Sequence, residues 1–222
     1  MLTLTRDRLG RYNGRVDVFE DIVRRGGAAA IEEADRFLMG MGPVHQTLRG
    51  ISRRLEDLGI PYAIVGGMAM VAHGYERTTI DVDILITPEG LETARRSLEG
   101  LGYVPTFPGS RSLRDADTGV RIEFLVSGGY PGDGKPKPVV FPEPRQASVD
   151  IDGIRYVSLP RLIEMKLASG MTNPGRLRDL ADVQEIIRVL NLNAEYAQQL
   201  DPYVRDKYVE LWSAIRTDPT PE

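Results

Sequence analysis

At 222 residues, with 41% hydrophobic and 27% charged side chains, the chain has the make-up of an ordinary globular protein with enough material for one good core. A net charge of −4 gives no overall attraction to nucleic acid or anionic membranes, and the absence of Cys excludes disulfides, thiolate nucleophiles and Cys-ligated zinc. His45 and His73 are too few for a His-based zinc site, and neither a signal-peptide pattern nor an apolar run of spanning length occurs, so a cytoplasmic protein is expected.

Residues 1–15 carry Arg6, Arg8, Arg11 and Arg15 with Gly10 and Gly14, and are expected to form a loosely ordered basic arm. Two short helices, Val16 to Arg25 and Ala28 to Met39, are expected on either side of Gly26-Gly27. Pro43 opens a clearer helix, with Val44, Leu48, Ile51, Leu55 and Leu58 on one stripe and Gly59 as its stop. The stripe lasts barely two heptads, which argues for packing on the domain rather than a coiled coil.

The stretch AIVGGMAMVAHGYERTTIDVDILIT, residues 63–87, then reads as strand, Gly pair, short apolar helix, Gly74, and a second strand. Thr87 as N-cap and Pro88 in the first turn start a helix with Leu91, Ala94, Leu98 and Leu101 on its buried stripe. Tyr103 to Phe107 and Val120 to Val126 read as strands joined by a turn over 111–119. Ser127 to Pro144 is a long Gly- and Pro-rich loop, of the kind that is functional or mobile. Asp152-Gly153 marks a hairpin between Ala147–Ile151 and Ile154–Val157. Ser158 is expected to cap a helix through Leu162, Ile163, Lys166 and Leu167, broken by Gly170 to Gly175. Leu177, Leu180, Val183, Ile187 and Leu190 stripe the next helix, and Val204, Tyr208, Leu211 and Ile215 the last.

The chemistry concentrates in the second strand of that stretch. Alternate strand residues share a face, so Asp81 and Asp83 project together while Val82, Ile84 and Ile86 point the other way. Glu123, on the same face as Arg121 and Leu125, supplies a third acid. Crowded carboxylates call for a cation, and an all-oxygen set suits one or two Mg²⁺ ions, with Mn²⁺ as an alternative. Gly66 and Gly67 offer backbone N–H groups with no side chain in the way, which favours an anion such as a nucleoside triphosphate. Arg77 fits either a phosphate clamp or a structural ion pair, and the acids themselves fit a bland alternative as surface groups paired with Arg77 or Arg121. His73 is assigned to packing.

The order of these features carries a resemblance. VGGMAMVAHGYERTTIDVDILI is similar to the signature of the polymerase-beta-type nucleotidyltransferase superfamily, and its GG…AHG…R-x-T-x-D-x-D form resembles the minimal and AbiEii-like toxin branches. SLPRLIEMKLASGMTNPGRLRDLADV resembles the downstream motifs of that branch, a helical Lys (Lys166) followed by Arg178, Asp179 and Asp182. The third acid departs from the pattern, being Glu123 where many relatives carry Asp. The resemblance implies an α/β (α+β) fold, a mixed β-sheet flanked by helices with helical N- and C-terminal additions. It divides the chain into an N-terminal extension (1–59), a nucleotidyltransferase core (60–158) and a C-terminal helical part (159–222). It implies metal on Asp81 and Asp83, triphosphate over Gly66 and Gly67, and phosphate on Lys166, with Asp179 or Asp182 assisting; Glu123 is added as a third candidate metal ligand, and Arg77 and Thr78 as candidate nucleotide contacts. The implied reaction moves an NMP from an NTP to an acceptor. A tRNA 3′ end is one acceptor, with the protein as a toxin paired to an antitoxin; a protein hydroxyl or a small molecule is another. A nucleotidyltransferase-like module that binds nucleotide or protein without chemistry is the competing class.

Overall fold

The computed structural model describes residues 5–6, 12–13, 19–24 and 26–217. Within the expected basic arm, β1 (Thr5–Arg6) and β2 (Tyr12–Asn13) pair antiparallel, while Arg8, Arg11 and Arg15 lie outside the described residues. The first expected helix is described as α1 (Phe19–Arg24), and its expected ends at 16–18 and 25 also lie outside. α2 (Gly27–Leu38) and α3 (Pro43–Asp57) follow where the sequence placed them, except that Leu58, expected on the buried stripe of α3, is its C-cap and exposed because the helix ends at Asp57. In α3, Val44, Leu48, Ile51 and Leu55 are buried.

The centre is a seven-stranded mixed sheet made of β3 (Tyr62–Val65), β4 (Asp81–Ile86), β5 (Tyr103–Pro105), β6 (Leu113–Asp115), β7 (Arg121–Val126), β8 (Ser148–Ile151) and β9 (Ile154–Val157). Their spatial order is β5-β6-β7-β4-β3-β9-β8. β4 runs parallel to β7 and β3 parallel to β9, whereas β3 and β4 are antiparallel. Helices flank this sheet: α4 (Gly66–Ala72) joins β3 to β4, α5 (Pro88–Leu98) lies against β7, and the short α6 (Pro144–Ala147) sits beside β3. α7 (Leu159–Thr172), α8 (Leu177–Val189) and α9 (Pro202–Thr217) pack on one another. None of the described helices is long and apolar enough to cross a membrane.

Local signals decided most of these boundaries. Thr87 Oγ1 accepts the Gly90 N–H at 3.0 Å, the expected N-cap of α5. Asp152 and Gly153 have φ of 53° and 78°, the positive pair that a tight two-residue hairpin needs. Residues 127–143 contain no helix or strand, but Phe141 closes on Gly128 and Gly129 through two backbone hydrogen bonds of 2.8 Å. Within that loop Lys137 donates to Pro131 O and to Asp133.

Several expectations are corrected. The segment read as a turn over 111–119 contains β6, whose three residues are too few to show a period-two pattern. Asp115 points inward there, accepting from buried Thr47 at 2.9 Å. The strand expected to reach Phe107 stops at Pro105. Leu101 and Leu177 are exposed rather than buried, because α5 ends at Leu98 and α8 begins only at Leu177; Ile186 joins the buried side of α8. Ser158 sits at the N-cap of α7 but makes no side-chain cap bond.

Gly170 does not break α7. It lies inside the helix, and a Cβ there would meet Leu180 Cγ at 2.5 Å, so the missing side chain is what lets α8 approach. Gly170→Val is expected to destabilise the fold by about 1–3 kcal/mol through overpacking, read as a lower urea midpoint with unchanged slope.

Candidate functional site

The site begins where β3 ends. Val65 delivers the chain into Gly66, whose φ of +61° is a left-handed conformation that suits glycine. A Cβ on Gly66 would meet Asp83 Oδ2 at 1.9 Å, and one on Gly67 would meet Thr79 Cβ at 2.7 Å. The Gly pair is therefore the floor on which Asp83 and Thr79 rest. The parallel pairing of β4 with β7 puts Asp83 directly beside Glu123 and Asp81 beside Arg121.

Carboxylate oxygens of Asp81, Asp83 and Glu123 all lie within 4.8 Å of one another, and each side chain is half-buried. Thr79 Oγ1 donates to Asp81 Oδ1 at 2.9 Å, and Arg121 donates to Asp81 Oδ2 at 2.9 Å. Arg121 also stands 3.4 Å from Glu123. No hydrogen bond or ion pair among the described residues ends on Asp83. Burial first, then the neighbouring Asp81 and Glu123 charges, push the Asp83 carboxyl up to about 7. Lys166 and Arg121 offset only part of that rise.

A second cluster joins α7 and α8. Lys166 Nζ donates to Asp179 at 3.0 Å and to Asp182 at 2.7 Å, and Arg77 also donates to Asp182 at 2.7 Å. Ser169 Oγ holds the other Asp179 oxygen at 2.7 Å. Lys166 and Asp182 are both buried. Two cations are thus oriented by two carboxylates, and Lys166 is close enough to lower the proton affinity of Asp83.

The structure therefore gathers Gly66, Gly67, Asp81, Asp83 and Glu123 at one place, and Lys166, Asp179, Asp182 and Arg77 at another whose charge reaches it. Arg77 pairs with Asp182, not with the acids of β4. Thr78 is exposed, and its carbonyl accepts from Arg77 Nε at 3.5 Å. Thr79 is the residue that touches the site. The frame R-x-T-x-D-x-D already carried that signal, since its Thr is Thr79. His73 packs as expected, with Nε2 2.7 Å from Val157 O.

The donor set fits a divalent cation of the Mg²⁺ or Mn²⁺ type: all-oxygen, anionic, with one carboxylate lacking a hydrogen-bond partner among the described residues and a side-chain-free floor beneath it. Metal-free, the folded state takes up an extra proton at Asp83 between its unfolded value of 3.8 and about 7. Stability is then expected to fall as pH rises through that window. Asp83→Asn is expected to flatten this slope and raise the metal-free Tm at pH 8 by a few degrees, whereas in the wild type added Mg²⁺ supplies the gain instead. Thermal denaturation with and without chelator checks both.

No protein-family model and no curated protein sequence matches the chain. Solved structures that resemble it include JHP933 from Helicobacter pylori, at 16% identity and TM-score 0.44 over 78% of this chain and 89% of that one. An antigenic nucleotidyltransferase-like protein from Paracoccidioides brasiliensis aligns at 20% identity and TM-score 0.48, covering 77% and 91%. ANT(2″)-Ia in complex with adenylyl-2″-tobramycin aligns at 15% identity and TM-score 0.44, covering 73% and 91%. At TM-scores below 0.5, none of these likenesses speaks to the chemistry of this chain.

Proposed function

We propose that the chain is a divalent-metal-dependent nucleotidyltransferase that moves an NMP from an NTP to an acceptor hydroxyl. The observation that carries this reading is Asp83: a carboxylate with no hydrogen-bond partner among the described residues, grouped with Asp81 and Glu123 over the bare backbone of Gly66. Nothing in a merely structural strand end calls for three acids in that arrangement, because each must overcome the repulsion of the other two.

Asp81, Asp83 and Glu123 are the residues to hold Mg²⁺, with Mn²⁺ as the alternative. When bound, the ion supplies charge neutralisation at the triphosphate and polarisation of the acceptor oxygen. Gly66 and Gly67 admit the triphosphate close to the backbone. Lys166 and Arg77 neutralise phosphate charge, each pre-positioned by Asp182, and Asp179 fixes Lys166 from its other side. The acceptor oxygen forms a bond to the α-phosphorus, the bond to the bridging oxygen breaks, pyrophosphate leaves, and the hydroxyl proton passes to a carboxylate or to water.

The finer reading rests on the motif resemblance. The acceptor is a tRNA 3′ end, and the protein is the toxin of a toxin–antitoxin pair working in the cytoplasm. Residues 60–158 form the transferring core, 159–222 complete its site, and 1–59 are an extension packed on it. One observation favours a second reading. Arg121 already pairs with Asp81 and approaches Glu123, so the acids have a built-in counter-ion, as a binding module without metal chemistry needs.

Incubation with each α-³²P-NTP, Mg²⁺ and total tRNA is expected to place label on RNA. Asp81→Asn with Asp83→Asn is expected to reduce transfer by at least about a thousandfold without loss of fold, and Lys166→Ala by about tenfold or more. Turnover retained in the double variant sinks the metal assignment. NTP binding without pyrophosphate release selects the non-enzymatic module.

A further inference from the structure

The acid cluster does not end at the sheet. Glu20, on α1, is buried and takes a two-pronged ion pair from Arg114 of β6, with Arg114 Nη1 2.6 Å from Oε2 and Nη2 3.3 Å from Oε1. Arg114 is held a second time by the carbonyl of Gly119. The same Glu20 Oε1 lies 3.9 Å from Arg121 Nε, just beyond hydrogen-bond reach. Arg121 Nε is itself buried with no acceptor among the described residues, although the other arm of its guanidinium is spent on Asp81 at 2.9 Å. A buried donor left unmade costs free energy. Here the group that would satisfy it stands one small rotation away.

The two arginines are not equivalent. The Arg114 side chain is 12% exposed and doubly anchored, while that of Arg121 is 38% exposed and shared among Asp81, Glu123 and Glu20. Of the pair, Arg121 is the one that can move. The charged groups around it are Asp81 and Asp83 on β4, Glu123 on its own strand, Glu20 on α1 and Arg114 on β6.

We infer that Arg121 is a tethered counter-ion of the acid cluster, which exchanges Asp81 and Glu123 for Glu20 when a divalent cation enters. Arg121 and Glu20 are thereby positioning residues for metal uptake. The inference rests on the metal-binding reading of Asp81, Asp83 and Glu123. Without the ion, Arg121 lowers the repulsion among the carboxylates. With the ion, guanidinium and metal repel, and Glu20 receives the Arg121 Nε–H that now has no partner. The exchange also links metal uptake to docking of α1, and linkage requires that each favours the other.

Calorimetric titration of the full chain with Mg²⁺ alone tests this in a two-by-two set: wild type, Glu20→Gln, Arg121→Met and the double variant. Glu20→Gln is expected to weaken Mg²⁺ binding about fivefold or more, and Arg121→Met to tighten it. In the Arg121→Met background, Glu20→Gln is expected to change nothing, since its effect passes through Arg121. Equal weakening in both backgrounds makes Glu20 a structural support only and overturns the inference. So does wild-type binding with unchanged affinity in both single variants. A wild type that takes up no Mg²⁺ overturns the metal reading, and the inference with it. Because Glu20→Gln may fail to fold, the wild-type Arg121 Nε–H resonance, assigned by its loss in Arg121→Met, gives an independent reading. Its hydrogen exchange is expected to slow on adding Mg²⁺, and unaltered exchange overturns the proposal.

Discussion

Three carboxylates crowded at the start of two parallel strands are the constraint on which the rest of this structure depends. Asp81 and Asp83 share a face because a strand alternates, and Glu123 joins them because β4 and β7 run side by side in matched register. Burial first, and then their mutual repulsion, push the Asp83 carboxyl up to about 7. Much of what surrounds them answers that repulsion. Thr79 and Arg121 hold Asp81, Lys166 bears on Asp83 from α7, and α1 brings Glu20 against Arg121 from outside the sheet.

Glycine is what allows the crowding. Gly66 lies so close beneath Asp83 that no other residue fits, and Gly67 does the same for Thr79. The floor of the site is therefore backbone, with its N–H groups unobstructed, and its walls are charged. An arrangement that is costly in isolation becomes reasonable under the proposed reading, in which a divalent cation and a phosphate chain occupy it. The second cluster obeys the same logic in reverse. Lys166 is a buried cation and Arg77 a half-buried one, and Asp179 and Asp182 hold them in place.

Much of the fold was legible because the local signals are strong. Pro43, Thr87-Pro88 and Asp152-Gly153 each specify backbone geometry within a few residues, and the elements they mark lie where they were expected. What failed was local signal too short or too ambiguous to read. β6 is three residues long, with an inward Asp, and it exists because Thr47 on α3 satisfies that Asp. Gly170 reads as a breaker, yet in the folded chain it is the close-contact point of α7 and α8. Leu101 and Leu177 continue apolar stripes on paper but fall just outside or at the very start of their helices.

The sequence by itself determined the strand–Gly pair–helix–strand order, the shared face of Asp81 and Asp83, and the residue types suited to metal and phosphate, because these follow from periodicities and spacings over a few residues. Only the tertiary structure decided which charges meet. That Arg77 turns to Asp182 and that Glu20 stands behind Arg121 are outcomes of strand register and helix packing across 105 and roughly 100 positions of chain. Pairings at long sequence separation are set by how whole elements pack, and no window of neighbouring residues contains that information.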